Sequence, residues 1–474
     1  MALELLDITA SGLAYICLGG FVVVFSLFSL LMKDKLYLNE VVLGTAFGIV
    51  IGPYAGNIFD PRSWSSSEGS QNITLEVMRI VLATGLFAIG IELPNNYMWK
   101  HAKSLSAMVI PTMAAGWLII GGILRALFPR LSYVSCLAIA ACLTPTDPII
   151  CAAIVGGKFA VKHVPVNLRR ILSAESAAND GLAWLVVSSH SGCRTGISYG
   201  SQNGKALLTG NPICFRCCAM SWDGHFNEQI EGEIFASVID LVLNCACFIY
   251  IGAWLPFKDF NMPSLGIEPW RLTVLLISVA LLRRIPPIML LYKWIPEISS
   301  WQEALFSGHF GPMGVGAVFI STLALSELAT PHNPPQNQED LLALYIQPVV
   351  AFVVLGSIII HGLSIPFFSF GKGVHGRTLS LSATLNGTGT VPDWVFWARP
   401  APVIAVMTSS SEQGDIERNL GVDLDISAVS SARPSPRLGI SMLPLQRQSS
   451  DHNSNAHLAE NKAHLESQGV RFTQ

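Results

Sequence analysis

Four clusters of polar or helix-breaking residues interrupt stretches of the chain that are otherwise apolar. In chain order they are residues 144–148, 175–180, 283–284 and 308–316. Carboxylate and carbonyl oxygens accept protons or cations, and guanidinium groups pair with carboxylates. An ionisable side chain inside a membrane is expensive, so each charged residue here is a functional hypothesis by default. Together the clusters predict a membrane site that handles protons or small cations.

The first cluster places Pro145 and Pro148 within four residues of each other. Each proline removes a backbone donor, so the pair breaks a helix. A broken helix at membrane depth is tolerated where it lines a polar cavity, and we therefore expect Asp147 to face a site. Two alternatives stay open. Residues 144–148 are a short loop between re-entrant pieces, or Asp147 only caps the N-terminus of a half-helix.

The last cluster is a second interrupted apolar segment, which contains Gly311, Pro312 and Gly314. A pair of interrupted helices in the two halves of a chain is the best sequence pointer to a transporter site built on inverted repeats. The alternative is that these glycines only allow close packing between helices.

The second cluster has two carboxylates on different faces of one predicted helix. Glu175 and Asn179 are four residues apart and share a face. Asp180 lies about 140° around the helix from Glu175. This separation suggests two roles: one carboxylate pairs with a cationic side chain, and the other takes and releases protons. A helix start at the interface, beside Arg169 and Arg170, explains Glu175 but not Asp180.

The arginine pair lies near the middle of an apolar stretch. Neither Arg283 nor Arg284 can stay unpaired there. Glu175 or the open backbone of a broken helix is the natural partner for one of them. The alternative is that both side chains snorkel to the membrane surface.

The composition identifies the elements that must hold these clusters. The 474 residues are 51% hydrophobic and 13% charged, whereas an ordinary soluble protein has roughly 25% charged residues. This excludes a typical soluble enzyme, and the net charge of -3 argues against a nucleic-acid partner. A polytopic, all-α membrane protein is predicted. Its candidate spans are residues 11–32, 39–56, 77–93, 105–128, 134–156, 170–189, 233–255, 270–292, 303–326 and 344–368.

The distribution of Lys and Arg predicts the orientation of these spans. In the first half, eight of these residues lie in odd-numbered loops and two in even-numbered loops, which places the N-terminus outside. The spans of the second half can be counted backward from the C-terminus. The last span leads to Lys372 and Arg377, which places its end inside, and the span at 233–255 should then also start inside. Ten spans do not reconcile the two halves. An odd number of crossings must therefore lie between about residues 189 and 233, or one half is inverted.

The chain divides into four parts by composition. They are a first membrane part at 1–188, an atypical Gly/Ser-rich segment at 189–221, a second membrane part at 222–370 and a polar tail at 371–474. The tail buries too little apolar surface to fold alone, and we expect it to be disordered and cytosolic. Ser435 and the Ser449-Ser450 pair are candidate phosphorylation sites there, so kinases or adaptor proteins are expected partners.

Several motifs occur in an order that characterises one family. They are Thr144-Pro145-Thr146-Asp147-Pro148, Gly156-Gly157-Lys158-Phe159-Ala160, Ala174-Glu175-Ser176 through Asn179-Asp180-Gly181, Trp222-Asp223-Gly224, Val238-Ile239-Asp240-Leu241, Leu282-Arg283-Arg284-Ile285-Pro286 and Gly308-His309-Phe310-Gly311-Pro312-Met313-Gly314-Val315-Gly316-Ala317. As a set they resemble the fungal plasma-membrane sodium/proton antiporters of the monovalent cation:proton antiporter family. The resemblance covers about residues 10–188 and 220–370.

The resemblance implies a fold and an activity. The fold is an inverted-repeat antiporter fold with crossed broken helices, having about 13 helices in the family and about 10 here. The implied activity is the exchange of cytosolic Na⁺ or Li⁺, and in many members K⁺, for external H⁺ across the plasma membrane, in support of salt tolerance. Such a transporter is not an enzyme and has no bound cofactor, and its members are commonly homodimers.

The resemblance also implies roles for individual residues. Asp180 would bind the transported Na⁺ or the proton, with Asn179 beside it. Thr146 and Asp147 would complete the site at the crossing. Glu175 would pair with an arginine of the Arg283-Arg284 doublet.

One part of the chain departs from the family. Between Asp180 and Trp222, family members carry about three further helices, one with a paired Asp-Asp motif. Three is an odd number of crossings, which agrees with the mismatch in orientation between the two halves of the chain. An incomplete gene model, a retained intron or a real deletion would each explain it. The competing function is therefore a non-transporting membrane scaffold or regulator that acts through the tail.

Overall fold

The structure is a computed structural model of the chain, and it describes residues 10–29, 40–94, 96–156, 158–179 and 234–386. In these ranges the regular elements are helices, and the one β pairing is an isolated bridge between Met262 and Ile267. The α-helices are α1 Ala10–Ser29, α2 Glu40–Ile51, α3 Ser67–Glu92, α4 Tyr97–Lys100, α5 Ala102–Leu127, α6 Tyr133–Cys142, α7 Pro148–Val155, α8 Lys158–His163, α9 at 166–179, α10 Ile234–Trp254, α11 Pro269–Leu282, α12 Ile285–Leu291, α13 Trp301–His309, α14 Val315–Ser326 and α15 Gln338–Asn386.

Four stretches within the described ranges are long and apolar enough to cross a membrane. They are Glu68–Gly90, Ala102–Leu127, Pro269–Trp294 and Gln338–Ser364. Shorter apolar helices lie at Gly12–Phe25, Glu40–Ile51, Tyr133–Cys142, Leu241–Trp254 and Val315–Ser326. The helices occur where the sequence predicts spans, because a segment surrounded by lipid must satisfy its backbone internally.

Two predicted spans are each divided into a pair of half-helices. Residues 134–156 form α6 and α7 with a break at 143–147, and residues 303–326 form α13 and α14 with a break at 310–314. Pro148 lies in the first turn of α7, where its missing N–H costs no hydrogen bond. Gly311 and Pro312 interrupt the second segment.

Serine caps start several helices at defined residues. The hydroxyl of Ser132 accepts from the backbone N–H of Ser135 at 3.1 Å and begins α6. The hydroxyl of Ser300 accepts from the backbone N–H of Glu303 at 3.3 Å and begins α13. Such caps satisfy N–H groups that have no partner within the helix. They fix where the two helices that lead into the breaks begin.

Helices α2 and α10 pack with their backbones in direct contact. A Cβ atom on Gly48 would overlap the carbonyl group of Ile249, and one on Gly252 would overlap the carbonyl oxygen of Thr45. Only glycine fits at these two positions, as in the small-residue interfaces of membrane helices. This contact joins the first membrane part to the helix that follows the atypical segment.

Three predictions concern residues near or beyond the ends of the described ranges. Helix α9 carries Glu175 and Asn179, whereas Asp180, the atypical segment at 189–221 and most of the tail lie outside the described residues. Helix α15 extends to Asn386, so the chain is still helical past residue 371, where we place the start of the tail.

Candidate ion-binding site

The two breaks lie against each other in the interior. The backbone N–H of Asp147, in the first break, donates to the carbonyl oxygen of Pro312, in the second, at 2.7 Å. Four half-helix ends therefore meet at one crossing. Two of them are N-termini, which carry partial positive charge, and two are C-termini, which carry partial negative charge.

Asp147 binds both N-termini. Its Oδ1 accepts from the N–H groups of Ile149 and Ile150 at 2.8 and 2.9 Å, at the start of α7. Its Oδ2 accepts from the N–H of Val315, at the start of α14. The residue is 1% exposed. One buried carboxylate thus offsets the positive ends of two helices, which is the capping role that the sequence left open for it.

Gly314 leaves the room for this contact. A Cβ atom at this position would overlap the Asp147 carboxylate and would lie 2.6 Å from Cδ1 of Ile150. A distance this short is well inside the usual carbon contact distance. A larger residue would separate Asp147 from the N-terminus of α14.

Arg283 binds the C-terminal ends of the other two half-helices, α6 and α13. Its Nη1 donates to three carbonyl oxygens just after α6, those of Leu143 at 3.1 Å, Thr144 at 2.9 Å and Pro145 at 3.0 Å. Its Nη2 donates to the carbonyl oxygen of Gly311, just after α13. The guanidinium offsets the negative C-terminal ends, as Asp147 offsets the positive N-terminal ends.

Arg284 and Glu175 form a buried two-point ion pair. Nη1 of Arg284 donates to Oε1 of Glu175, and Nη2 donates to Oε2 at 2.9 Å. The same Nη2 also reaches the carbonyl oxygen of Ser307 at 3.2 Å. The side chains are 6% and 2% exposed, respectively. The pair ties α9 to the start of α12 and the end of α13 through strong, directional hydrogen bonds.

Asn179 joins α9 to the first break. Its Nδ2 donates to Oγ1 of Thr146 at 2.6 Å, and its Oδ1 accepts from the backbone N–H of Thr146 at 3.1 Å. Both residues are buried. Asp180 follows Asn179 in the chain but lies outside the described residues.

Ser357 also contacts the crossing, although it is not among the site residues predicted from the sequence. Its hydroxyl oxygen accepts from the backbone N–H of Met313, in the second break, at 2.7 Å. The spacing of Ser357 and His361 is a signal that was available: two polar residues four apart share a face of an otherwise apolar helix.

The described side chains of the crossing balance one another electrically. Two buried carboxylates, of Asp147 and Glu175, face two buried guanidinium groups, of Arg283 and Arg284. A small cavity of about 10 Å³ lies beside the arginines and is also lined by His309 and His361. That volume is about the least that can accommodate one water molecule. The crossing is therefore compact, oxygen-rich and formally neutral in its described part.

Comparisons with known proteins identify the family. The model of the sodium/hydrogen exchanger transmembrane family matches residues 22–209 and 215–371. A probable Na⁺/H⁺ antiporter of Schizosaccharomyces pombe is 37% identical, with 81% of this chain and 59% of the relative covered. A Na⁺/H⁺ antiporter of Saccharomyces cerevisiae is 35% identical, with 88% and 51% covered. The chain thus spans between half and three fifths of the length of these relatives.

A solved structure shares the fold. The sodium proton antiporter MjNhaP1 of Methanocaldococcus jannaschii aligns with a TM-score of 0.54 at 17% identity, over 76% of this chain and 100% of that one. The likeness confirms the predicted all-α antiporter fold. The family match extends over well more than half of the chain. The chain belongs to the sodium/hydrogen exchanger family.

Proposed function

We propose that the chain carries the ion-exchange site of a fungal plasma-membrane antiporter, which exports cytosolic Na⁺, Li⁺ and K⁺ in exchange for external H⁺. Salt tolerance and the control of cytosolic pH and cation content would follow from this exchange. Family membership supports the proposal, and so do the fungal relatives whose names state Na⁺/H⁺ antiport. The crossing of two broken helices is the kind of site in which transporters hold small ions at the membrane midplane.

The charge balance of the crossing is the observation that carries the proposal. The four described charges of Asp147, Glu175, Arg283 and Arg284 cancel. Asp180 follows Asn179 directly in the sequence, and in this proposal its carboxylate adds one negative charge to the balance. A buried charge needs a partner, and one proton or one monovalent cation supplies it. A site that takes either ion, but not both, exchanges one for the other.

In this proposal the residues take the roles that the family resemblance implies. Asp180 binds the transported Na⁺ or the proton. Asn179 precedes it in the sequence and is hydrogen-bonded to Thr146, and both offer oxygen atoms, while Asp147 sets the local potential through the two helix N-termini. The pair of Glu175 and Arg284 holds α9, which carries Asn179.

A second candidate function is a non-transporting scaffold or regulator. The alignment with the S. cerevisiae relative runs over 503 positions, more than the 474 residues of this chain, so the relative has residues in the matched region that this chain lacks. The family model also matches in two segments, interrupted at residues 210–214. Together with the mismatch in orientation between the two halves, these findings support the absence of about three helices from this chain.

We further propose a membrane orientation and partners. Lys372 and Arg377 follow the last span, so the tail would lie in the cytosol. There it would be open to kinases or adaptor proteins. The protein would lie in the lipid bilayer as a homodimer.

Growth of an antiporter-deficient yeast in high sodium separates the two functions. We expect the chain to fail to rescue growth, and a chimera whose residues 189–221 are replaced by the helices of the S. cerevisiae relative to rescue it. Asp180→Asn in the chimera should abolish rescue. Glu76→Gln, which changes an exposed carboxylate, should leave rescue unchanged.

Two results would contradict this interpretation. Robust Na⁺-dependent proton flux from the original chain in vesicles would show that the missing helices are not required. Exchange by the chimera with Asp180→Asn would show that the ion-binding carboxylate lies elsewhere.

A further inference from the structure

A buried polar network joins α15 to the second break, outside the charged groups of the crossing. Ser357 accepts from the backbone N–H of Met313 at 2.7 Å. Its hydroxyl oxygen lies 3.2 Å from Nδ1 of His361. Nε2 of His361 lies 2.9 Å from the carbonyl oxygen of His309. Ser357 and His361 are 0% and 3% exposed.

The hydrogen-bond partners set the direction of this network. The carbonyl oxygen of His309 can only accept, so Nε2 of His361 carries a hydrogen. The guanidinium groups of Arg283 and Arg284 line the same small cavity as His361. Nδ1 of the ring lies 2.9 Å from the carbonyl oxygen of Ser357 and 3.2 Å from its hydroxyl oxygen, and that hydroxyl oxygen accepts from the N–H of Met313.

The network holds the backbone on both sides of the second break. His309 is the last residue of α13, and Met313 lies two residues before Val315, the first residue of α14. Val315 donates to the Asp147 carboxylate. Membrane-depth backbone outside a helix needs partners, and α15 supplies two of them here. The distance between the α14 N-terminus and Asp147 therefore depends on where α15 holds Met313.

We propose that Ser357 and His361 are positioning residues that set the apparent Na⁺ affinity of the crossing without touching the ion. The inference rests on the proposed function. A merely structural pair would support only the stability of the fold. A positioning pair also changes ion binding, because the α14 N-terminus carries part of the positive potential at the site.

Thermal unfolding of the purified full chain at pH 8, over a series of NaCl concentrations with choline chloride as the control salt, tests the proposal. Ser357→Ala should raise the NaCl midpoint of stabilisation about tenfold, the factor that one buried hydrogen bond is worth. His361→Ala should have a similar effect. His361→Gln returns a donor near the Nε2 position and should recover most of the affinity.

Ser321→Ala is the matched control. Ser321 is 1% exposed and lies on α14, but among the described residues its hydroxyl bonds only to the carbonyl oxygen of Val318 in its own helix, at 3.0 Å. We expect it to lower the unfolding temperature without moving the NaCl midpoint. If Ser357→Ala does not fold, the comparison of His361→Ala with His361→Gln decides the question.

Two negative results have different meanings. If NaCl stabilises the wild-type chain no more than choline chloride, the proposed function fails. If NaCl stabilises the wild type, but Ser357→Ala and His361→Ala keep its midpoint, the positioning role is wrong and the proposed function stands.

Discussion

Glu175→Gln should destabilise the protein by about 3–5 kcal/mol, the usual cost of removing one partner of a buried ion pair. The substitution leaves the buried guanidinium group of Arg284 without the negatively charged partner that its two Nη atoms bind. The side chains of this pair are 6% and 2% exposed, so water cannot take the place of the lost carboxylate. The measurement is the free energy of unfolding in detergent, from denaturant titration of wild type and variant.

The chain offers a matched surface pair as the control. Oε1 of Glu76 lies 2.5 Å from Nη1 of Arg79 on α3, but the two side chains are about half exposed. Glu76→Gln should therefore cost no more than about 0.5 kcal/mol. A double variant, Glu175→Leu with Arg284→Leu, should recover most of the loss, because it leaves no buried charge unpaired. Equal costs for Glu175→Gln and Glu76→Gln would contradict the structural role of the pair.

Asp147→Asn is the second substitution with a large expected effect. An asparagine keeps one acceptor oxygen, so it can cap one of the two half-helices but not both. The N–H of Val315, or those of Ile149 and Ile150, would face an amide NH₂ group. An unsatisfied buried donor costs about 1–3 kcal/mol, and the lost helix-dipole interaction adds up to about 2 kcal/mol. The variant should also lose Na⁺-dependent stabilisation.

Asp60→Asn controls for the chemistry of this change. Asp60 caps one short turn through a single bond to the N–H of Arg62 at 3.1 Å. Asparagine caps as well as aspartate at such a site, so the free energy of unfolding should stay within about 0.5 kcal/mol of wild type. The same titration measures both variants. A loss in Asp147→Asn no greater than in Asp60→Asn would mean that the carboxylate does not hold the crossing together.

The positions of the two breaks were predictable because proline and glycine act locally. Pro145, Pro148 and Pro312 each remove a backbone donor, and Gly311 is a poor helix former, whatever surrounds them. The antiporter fold and the crossing of the two broken helices were implied by the family resemblance instead.

The choice of partner for each arginine was not predictable. Arg283 and Arg284 are adjacent, and the sequence offered Glu175 and the open backbone as partners without assigning either. The tertiary structure decides it: Arg284 binds the carboxylate of Glu175, and Arg283 binds the carbonyl oxygens of the breaks. Asp147 is a similar case, since a cap on two helices exists only once the breaks meet.

The role of Ser357 could not be predicted from its own position. A serine inside an apolar helix usually bonds to a carbonyl one turn earlier, and nothing nearby in the chain points to Met313. Ser357 lies 44 residues further along the chain than the N–H group that it accepts from. Only the packing of α15 against the second break brings them together.

Competition between Na⁺ and H⁺ for one buried charge is the central claim, and proton release on Na⁺ binding tests it most directly. NaCl is added to the purified full chain in weakly buffered solution near pH 7, with choline chloride as the control, and the change in pH is recorded. We predict a release of up to one proton for each Na⁺ bound, which Asp180→Asn abolishes and Glu76→Gln leaves unchanged. Na⁺ binding without proton release, or release that persists in Asp180→Asn, would contradict a shared site at this carboxylate.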